Sequence, residues 1–253
     1  MIKKLTYIIP FRFSPERYNN LKKVVMWLSG FNNVDILVVE QDLFPRLNYT
    51  NLPIRHVFHK STLPFNRSWG FNVGLKHANG EWVAFGDCDI IMNPYEFINA
   101  MQLLNSYQAV NPYKSVIDLT PQESVLPFND IFNIKRSGRG DNDNQKINFC
   151  GGIVLYQKDA ALDIGGWCED FFGWGCEDNF QTHKTLKYLT NTELNFRCYH
   201  FYHTRDEINP NLYNKNLQIL NKLINLQDQD LKTYIDRVKY MIGYEHYQED
   251  TYY

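Results

Sequence analysis

The sequence predicts an α/β fold: a mixed, mostly parallel sheet flanked by helices, followed by a helical tail. Three observations predict it. Apolar runs and helix-periodic segments alternate through residues 5–85 in the order strand, helix, strand, strand, helix, strand. The chain has 253 residues, 44% of them hydrophobic, enough for one large core. Beyond residue 210 the composition turns polar, with Leu231, Tyr234, Ile235, Val238 and Ile242 at amphipathic spacing. The expected division is a main domain over residues 1–210 and a helical extension over 211–253 packed on it.

Each element has its own reason. Residues 5–9 are a short apolar run closed by Pro10, which reads as a buried strand. Ser14-Pro15-Glu16 signals a helix start, with Ser14 as N-cap and Pro15 at the first helical position. Leu21, Val24, Val25 and Leu28 then recur at helical spacing, and Gly30 ends that helix. Strands are expected over residues 36–39 and 54–58. Residues 67–78 read as a helix ending at Asn79-Gly80, and residues 82–85 as a strand running directly into Gly86-Asp87-Cys88-Asp89. In such sheets ligands bind at the carboxyl ends of strands, and Asp87 and Asp89 lie at one of them. A helix from residue 94 to about 107 follows. Residues 129–148 are polar and Gly/Asn-rich, so a mobile loop is expected there. Phe149-Cys150-Gly151-Gly152 opens a strand that runs to Tyr156. A short helix over 159–164, a Gly165-Gly166-Trp167 turn, a helix over 177–189 and a strand over 196–201 complete the body.

Bulk properties narrow the function. A net charge of -2 with no long basic run excludes nucleic acid as the main partner, because phosphate binding needs concentrated Lys and Arg. Aromatics reach 15%, with 17 Tyr and 17 Phe, which suits either a core and its rim or platforms for sugar rings. Five cysteines without a Cys-x-x-Cys imply free thiols in a reducing compartment. The apolar run after Met1 is too short for a secretion signal, and no stretch approaches the length of a membrane span. A cytoplasmic protein is expected.

Four local patterns carry chemistry. Phe172-Gly173-Trp174-Gly175-Cys176-Glu177-Asp178-Asn179 places adjacent carboxylates behind a Gly-Trp-Gly loop. Such a pair can divide two jobs, one side chain orienting a hydroxyl while the other removes its proton; the plainer reading is a surface loop whose acids sit at a helix N-terminus. Asp87-Cys88-Asp89 can hold a divalent ion, although Asp-x-Asp is also common in turns. His200 and His203 supply two imidazoles, which suit Mn, Fe, Zn or Ni. Residues three apart on a straight strand face opposite ways, so both can ligate one ion only if the chain bends between them. No Glu follows His200 as a zinc-protease helix requires. Two His and one Asp also match an iron facial triad, but the β-barrel expected around one is missing. Arg67 and Arg12 each stand near a strand or helix end, where they could meet a phosphate; singly, each reads as an ordinary surface arginine.

In this order along the chain, the segments resemble the β-1,4-galactosyltransferases and their bacterial relatives, with the GT-A fold, which is Rossmann-like. The matching segments are Ile9-Pro10-Phe11-Arg12, Phe65-Asn66-Arg67 with Asn72-Val73-Gly74, Asp87-Cys88-Asp89, Gly151-Gly152, Gly173-Trp174-Gly175-Cys176-Glu177-Asp178 and His203-Thr204-Arg205-Asp206. They span roughly residues 5–210. The resemblance implies metal-dependent inverting transfer of a hexose, with galactose favoured and N-acetylhexosamine second, from a UDP-sugar to a saccharide or glycan hydroxyl. It implies that Pro10, Phe11, Arg12, Arg67, Asp87, Phe149, Gly151, Gly152 and Trp174 line the nucleotide-sugar site. Asp89, His200 and His203 would bind Mn²⁺, with Mg²⁺ as a second ion. Glu177, Asp178 and Trp174 would hold the acceptor, with Asp178 as general base.

Three departures from the family stand out. His200 occupies the position of a family Met ligand, and imidazole is harder than thioether, so a broader metal preference is expected. Phe149 replaces a Tyr that faces the donor sugar. The family's Glu-Asp-Asp reads Glu177-Asp178-Asn179, which keeps the base. Two alternatives remain open: a retaining N-acetylgalactosaminyl-type transferase, which has a similar Trp-Gly-Gly-Glu segment, and a non-catalytic nucleotide-sugar or glycan-binding module.

Overall fold

The computed structural model describes residues 4–47, 51–141, 149, 152–204 and 207–244. Its elements run β1 (Leu5–Phe11), α1 (Pro15–Leu28), β2 (Val34–Asp42), β3 (Arg55–Lys60), α2 (Arg67–His77), β4 (Trp82–Gly86), β5 (Ile90–Met92), α3 (Pro94–Leu103), β6 (Ala109–Asn111), β7 (Ser115–Asp118), α4 (Phe128–Phe132), β8 (Ile153–Gln157), α5 (Lys158–Asp163), α6 (Glu177–Tyr188), β9 (Asn191–Glu193), β10 (Arg197–His200), α7 (Pro210–Ile224) and α8 (Asp228–Val238). Seven strands form the main sheet in the order β3-β2-β1-β4-β8-β6-β9, and β5-β10-β7 form a small second sheet. The pairs β3-β2, β2-β1, β1-β4 and β6-β9 are parallel, whereas β8 runs antiparallel to both its neighbours. This is the mixed, mostly parallel α/β architecture that the alternating pattern predicts.

β1 reads as a continuous apolar run because both its faces are covered. Tyr7 and Ile9 point to one face, where Trp27 of α1 and Phe97 of α3 pack; Ile8 points to the other, against Phe71 and Leu75 of α2. Tyr7, Trp27, Phe31 and Phe97 form a ring cluster with centroids 5.0–6.2 Å apart, each such contact worth about 0.5–1.5 kcal/mol beyond area burial. A third apolar cluster joins Phe180 of α6 to Leu220 and Leu223 of α7 and Leu231 and Ile235 of α8.

Four boundaries differ from expectation. β1 does not stop before Pro10 but runs through it to Phe11. Its pairing with β4 ends at Ile8, so Pro10 has a neighbour on the β2 side only and its missing N–H costs no ladder bond. Residues 129–148 are not all loop: α4 covers Phe128–Phe132, and Arg139 makes an antiparallel bridge to Val116. The strand expected from Phe149 begins at Ile153, after Phe149 with φ of 35° and the turn at Gly152. The helix from residue 94 ends at Leu103. Within the described residues Cys88, Cys168, Cys176 and Cys198 are buried free thiols, and no helix is long and apolar enough to cross a membrane.

Candidate active site

β4 carries the first acidic group to the carboxyl end of the main sheet. Beyond Gly86 the chain turns through Asp87, whose N–H donates to the Gly152 carbonyl at 3.0 Å, and re-enters the small sheet as β5. The Asp89 carbonyl accepts from Phe201 N–H at 2.7 Å, so the carboxylate strand and the histidine strand are joined directly. β10 ends at His200 and the chain then bends. Asn20 of α1 donates to the Tyr202 carbonyl, Ser124 accepts from Tyr202 N–H, and Glu16 takes both Thr204 N–H and its hydroxyl. That bend brings His203 back beside His200, ring centroids 5.2 Å apart.

Both imidazoles present the same nitrogen to Asp89. His200 Nε2 lies 3.5 Å from Asp89 Oδ1 and His203 Nε2 lies 3.3 Å from Oδ2. Their Nδ1 atoms already face acceptors, Asp118 Oδ1 at 3.2 Å and the Thr204 carbonyl at 2.9 Å. With hydrogen on Nδ1, the neutral rings keep their Nε2 lone pairs for a ligand. The three ligand atoms of Asp89, His200 and His203 lie within 4.8 Å of one another. One buried carboxylate and two imidazoles fit a divalent cation. Burial opposes charging of His200, but the Asp118 hydrogen bond and the charges of Asp89 and Asp118 prevail and raise its pKa.

Arg67 joins this edge to the Glu-Asp pair. Asn66 caps α2 by accepting from Trp69 N–H at 2.8 Å, and Gln41 grips the Asn66 backbone on both sides. The cap sets the next side chain, Arg67, into a carboxylate cluster. Its Nε and Nη2 chelate Asp87 at 2.8 and 2.9 Å, and its Nη1 reaches Glu177 and Asp178, each at 3.1 Å. Burial pushes Asp87 up to about 6 against the pull of Arg67, with Asp89 and Asp178 adding to the rise. Burial and then Asp178 push Glu177 up to about 7, again against Arg67. Glu177 Oε2 is buried and has no hydrogen-bond partner among the described residues.

The Gly-Trp-Gly loop leads into that pair. Cys176 takes the left-handed conformation, φ 79°, immediately before α6, a strained geometry for a residue with a Cβ. Trp174 is 62% exposed and packs at a tilt against Tyr213 of α7, ring centroids 5.7 Å apart. Asn216, also on α7 and buried, donates its amide to the Phe172 and Gly175 carbonyls at 3.0 and 3.1 Å.

The remaining candidates are spread more widely. Pro10 and Phe11 end β1, with Phe11 buried. Arg12 donates from Nε to the Gln41 carbonyl at 2.8 Å and lies over the Phe65 ring, while its Nη2 is buried without a partner among the described residues. Phe149 is fully buried and packs against Tyr156 in the core. Gly152 sits where a Cβ would fall 2.4 Å from the Tyr113 hydroxyl. Gly151, Arg205 and Asp206 lie outside the described residues. Sequence reasoning missed Asp118, Tyr213 and Asn216. For Asn216 there was a signal: it is a polar residue on the stripe that carries Leu220 and Leu223.

Residues 141–205 match a family model described as the N-terminal domain of galactosyltransferase, and that stretch contains Phe149, Trp174, Glu177, Asp178, His200 and His203. No curated protein matches this sequence. Among solved structures, GalNAc-T7 with UDP, GalNAc and Mn²⁺ aligns at a TM-score of 0.61 and 11% identity, over 99% of this chain and 58% of that one. A Drosophila β-1,4-galactosyltransferase 7 mutant with manganese, UDP-Gal and xylobiose aligns at 0.51 and 17% identity, over 90% and 81%. The mannosyltransferase PcManGT of Pyrobaculum calidifontis with GDP-Man and Mn²⁺ aligns at 0.51 and 14% identity, over 93% and 74%. The fold is GT-A, and residues 141–205 resemble the galactosyltransferase domain.

Proposed function

We propose that this chain is a metal-dependent inverting glycosyltransferase that moves a hexose from a UDP-sugar to a glycan hydroxyl, with galactose the favoured donor sugar and N-acetylhexosamine second. One observation carries the reading. A divalent-metal donor set includes Asp89, two residues along the chain from Asp87, and Arg67 ties Asp87 to the adjacent Glu-Asp pair. Inverting transfer needs both, one to receive the departing diphosphate and one to activate the incoming hydroxyl from the other side. The three solved structures described above hold UDP-Gal, UDP with GalNAc, or GDP-Man, each with manganese. The chain spans 58% of GalNAc-T7.

Asp89, His200 and His203 would hold Mn²⁺ or Mg²⁺, whose chemistry there is charge stabilisation on the leaving diphosphate. Asp178 would take the proton of the acceptor hydroxyl. Glu177 would orient that hydroxyl, its buried, unpaired Oε2 being the kind of acceptor atom that a sugar O–H satisfies. Arg67 fixes Asp178 and Asp87 in place and keeps negative charge balanced across the cluster. The unpaired Nη2 of Arg12 suits an oxygen of the nucleotide. Trp174, exposed on its loop, would cover the bound sugar and exclude water.

A UDP-release screen over UDP-sugars, with Mn²⁺ or Mg²⁺ and a panel of simple acceptor sugars, tests this reading. Release from UDP-galactose that rises with an acceptor and needs a divalent ion is expected. Metal-dependent UDP binding without turnover on any donor would favour a binding module. The fold likeness to GalNAc-T7 keeps a retaining mechanism in view. Asp178 directly after Glu177 favours inversion, and NMR of the product's anomeric proton separates the two. Activity with Mn²⁺ alone among divalent ions would count against the broader preference expected from His200.

A further inference from the structure

We propose that Asp118 is a positioning residue for the metal centre, holding His200 in the tautomer and orientation that ligation needs. The inference rests on Asp89, His200 and His203 forming a metal site.

The arrangement is built by backbone register. β10 and β7 pair in parallel with His200 directly opposite Asp118, the last residues of the two strands. Asp118 Oδ1 then sits 3.2 Å from His200 Nδ1, on the far side of the ring from Asp89. A ligating imidazole that donates its other N–H to a carboxylate gains basicity and loses ring freedom. Among the described residues His203 Nδ1 faces the Thr204 carbonyl, a neutral acceptor on the adjacent residue. The two histidines are therefore supported unequally, and the carboxylate stands behind His200.

Asp118 is itself held. Arg139 chelates it, Nε to Oδ2 at 2.7 Å and Nη2 to Oδ1 at 3.0 Å, and the Asp118 carbonyl accepts from Arg136. Arg139 reaches it because its backbone pairs with Val116 in both directions, at 2.8 and 3.0 Å. Gly138 permits that approach: a Cβ there would fall 2.5 Å from both Ser115 Oγ and the Val116 carbonyl oxygen. Ser137-Gly138-Arg139 thus presents a guanidinium to the carboxylate, and the carboxylate to the imidazole. The chain Arg139–Asp118–His200 ends at Asp89.

The test is Mn²⁺ binding to the whole chain, with and without UDP, by titration calorimetry and Mn²⁺ electron paramagnetic resonance. Asp118→Ala is expected to weaken Mn²⁺ about 10- to 100-fold, with Asp118→Asn between it and wild type. Long-range ¹H–¹⁵N spectra of the metal-free protein should show His200 protonated at Nδ1 in wild type and as a mixture of tautomers in Asp118→Ala. In the transfer assay the loss should appear in the metal concentration required, with kcat recovered at saturating Mn²⁺. A His200→Met background separates this role from a loss of folding. There Asp118→Ala should cost no further Mn²⁺ affinity, because the carboxylate acts through the imidazole. Unchanged Mn²⁺ affinity in Asp118→Ala, or an equal loss in the His200→Met background, overturns the proposal. No Mn²⁺ binding by wild type overturns the metal site and this inference with it.

Discussion

Arg67 is the residue on which the carboxylates depend. One guanidinium, its side chain 14% exposed, meets Asp87, Glu177 and Asp178. Removing one partner of a buried ionic cluster leaves uncompensated charge, at a cost of about 3–5 kcal/mol. Arg67→Ala should lower stability by roughly that amount in denaturant titration; a change within experimental scatter would show that water already screens the cluster. Asp89, a proposed metal ligand, is the opposite case, and its loss should matter little to folding. Asp89→Ala is expected to abolish the metal dependence of UDP binding, read by calorimetry with and without Mn²⁺. At this scale the sequence was legible where residue types are rare in combination: two Asp at a strand end, two His three apart, a Glu-Asp pair behind Gly-Trp-Gly. It was not legible for Asp118, because one acid at the end of a four-residue strand has no local signature.

The elements that place these residues were foreseen unevenly. β1, α1, β2, α2 and β4 each carry a full local signal, whether an apolar run, a cap or a periodicity, and each lies close to its expected bounds. Of the small sheet only β10 was expected, over residues 196–201. β5 and β7 are three or four residues long, and the pairing joins residues 90–92, 115–118 and 197–200. Strands as short as β5 and β7 gain their conformation from partners far away in sequence, which no local pattern announces. The contact of α7 with the Gly-Trp-Gly loop is equally non-local. Asn216 there holds three loop carbonyls. Asn216→Ala should cost about 1–3 kcal/mol and speed amide exchange through residues 173–177. Exchange equal to wild type would mean that Tyr213 and packing alone hold the loop.

Across the whole molecule, Glu169 ties three regions together. It accepts from Asn72 of α2 and from Gly243 N–H beyond α8, both at 2.6 Å, and its own carbonyl accepts from Asn66. Burial pushes Glu169 from the usual 4.5 to about 7, against its two hydrogen bonds; Asp170 adds to the rise and Lys76 opposes it. The folded state thus binds this proton more tightly than the unfolded chain. Its stabilising contribution is complete below pH 4.5 and is lost as pH rises through about 7. Glu169→Gln should flatten the fall in Tm between about pH 4.5 and about pH 7; an unaltered slope would place the titration elsewhere. At this scale the sheet architecture was readable from the alternation of elements, and the end that gathers the candidate site residues from the Asp-x-Asp at the end of β4. The convergence of that end with α6 through Arg67 required the folded chain. What the assembled site should do is transfer a sugar, so the decisive measurement pairs two readouts on Asp178→Asn: Mn²⁺-dependent UDP binding, and sugar transfer from UDP-galactose to an acceptor that wild type uses. Binding close to wild type with transfer abolished is the predicted result; transfer at the wild-type rate would contradict it.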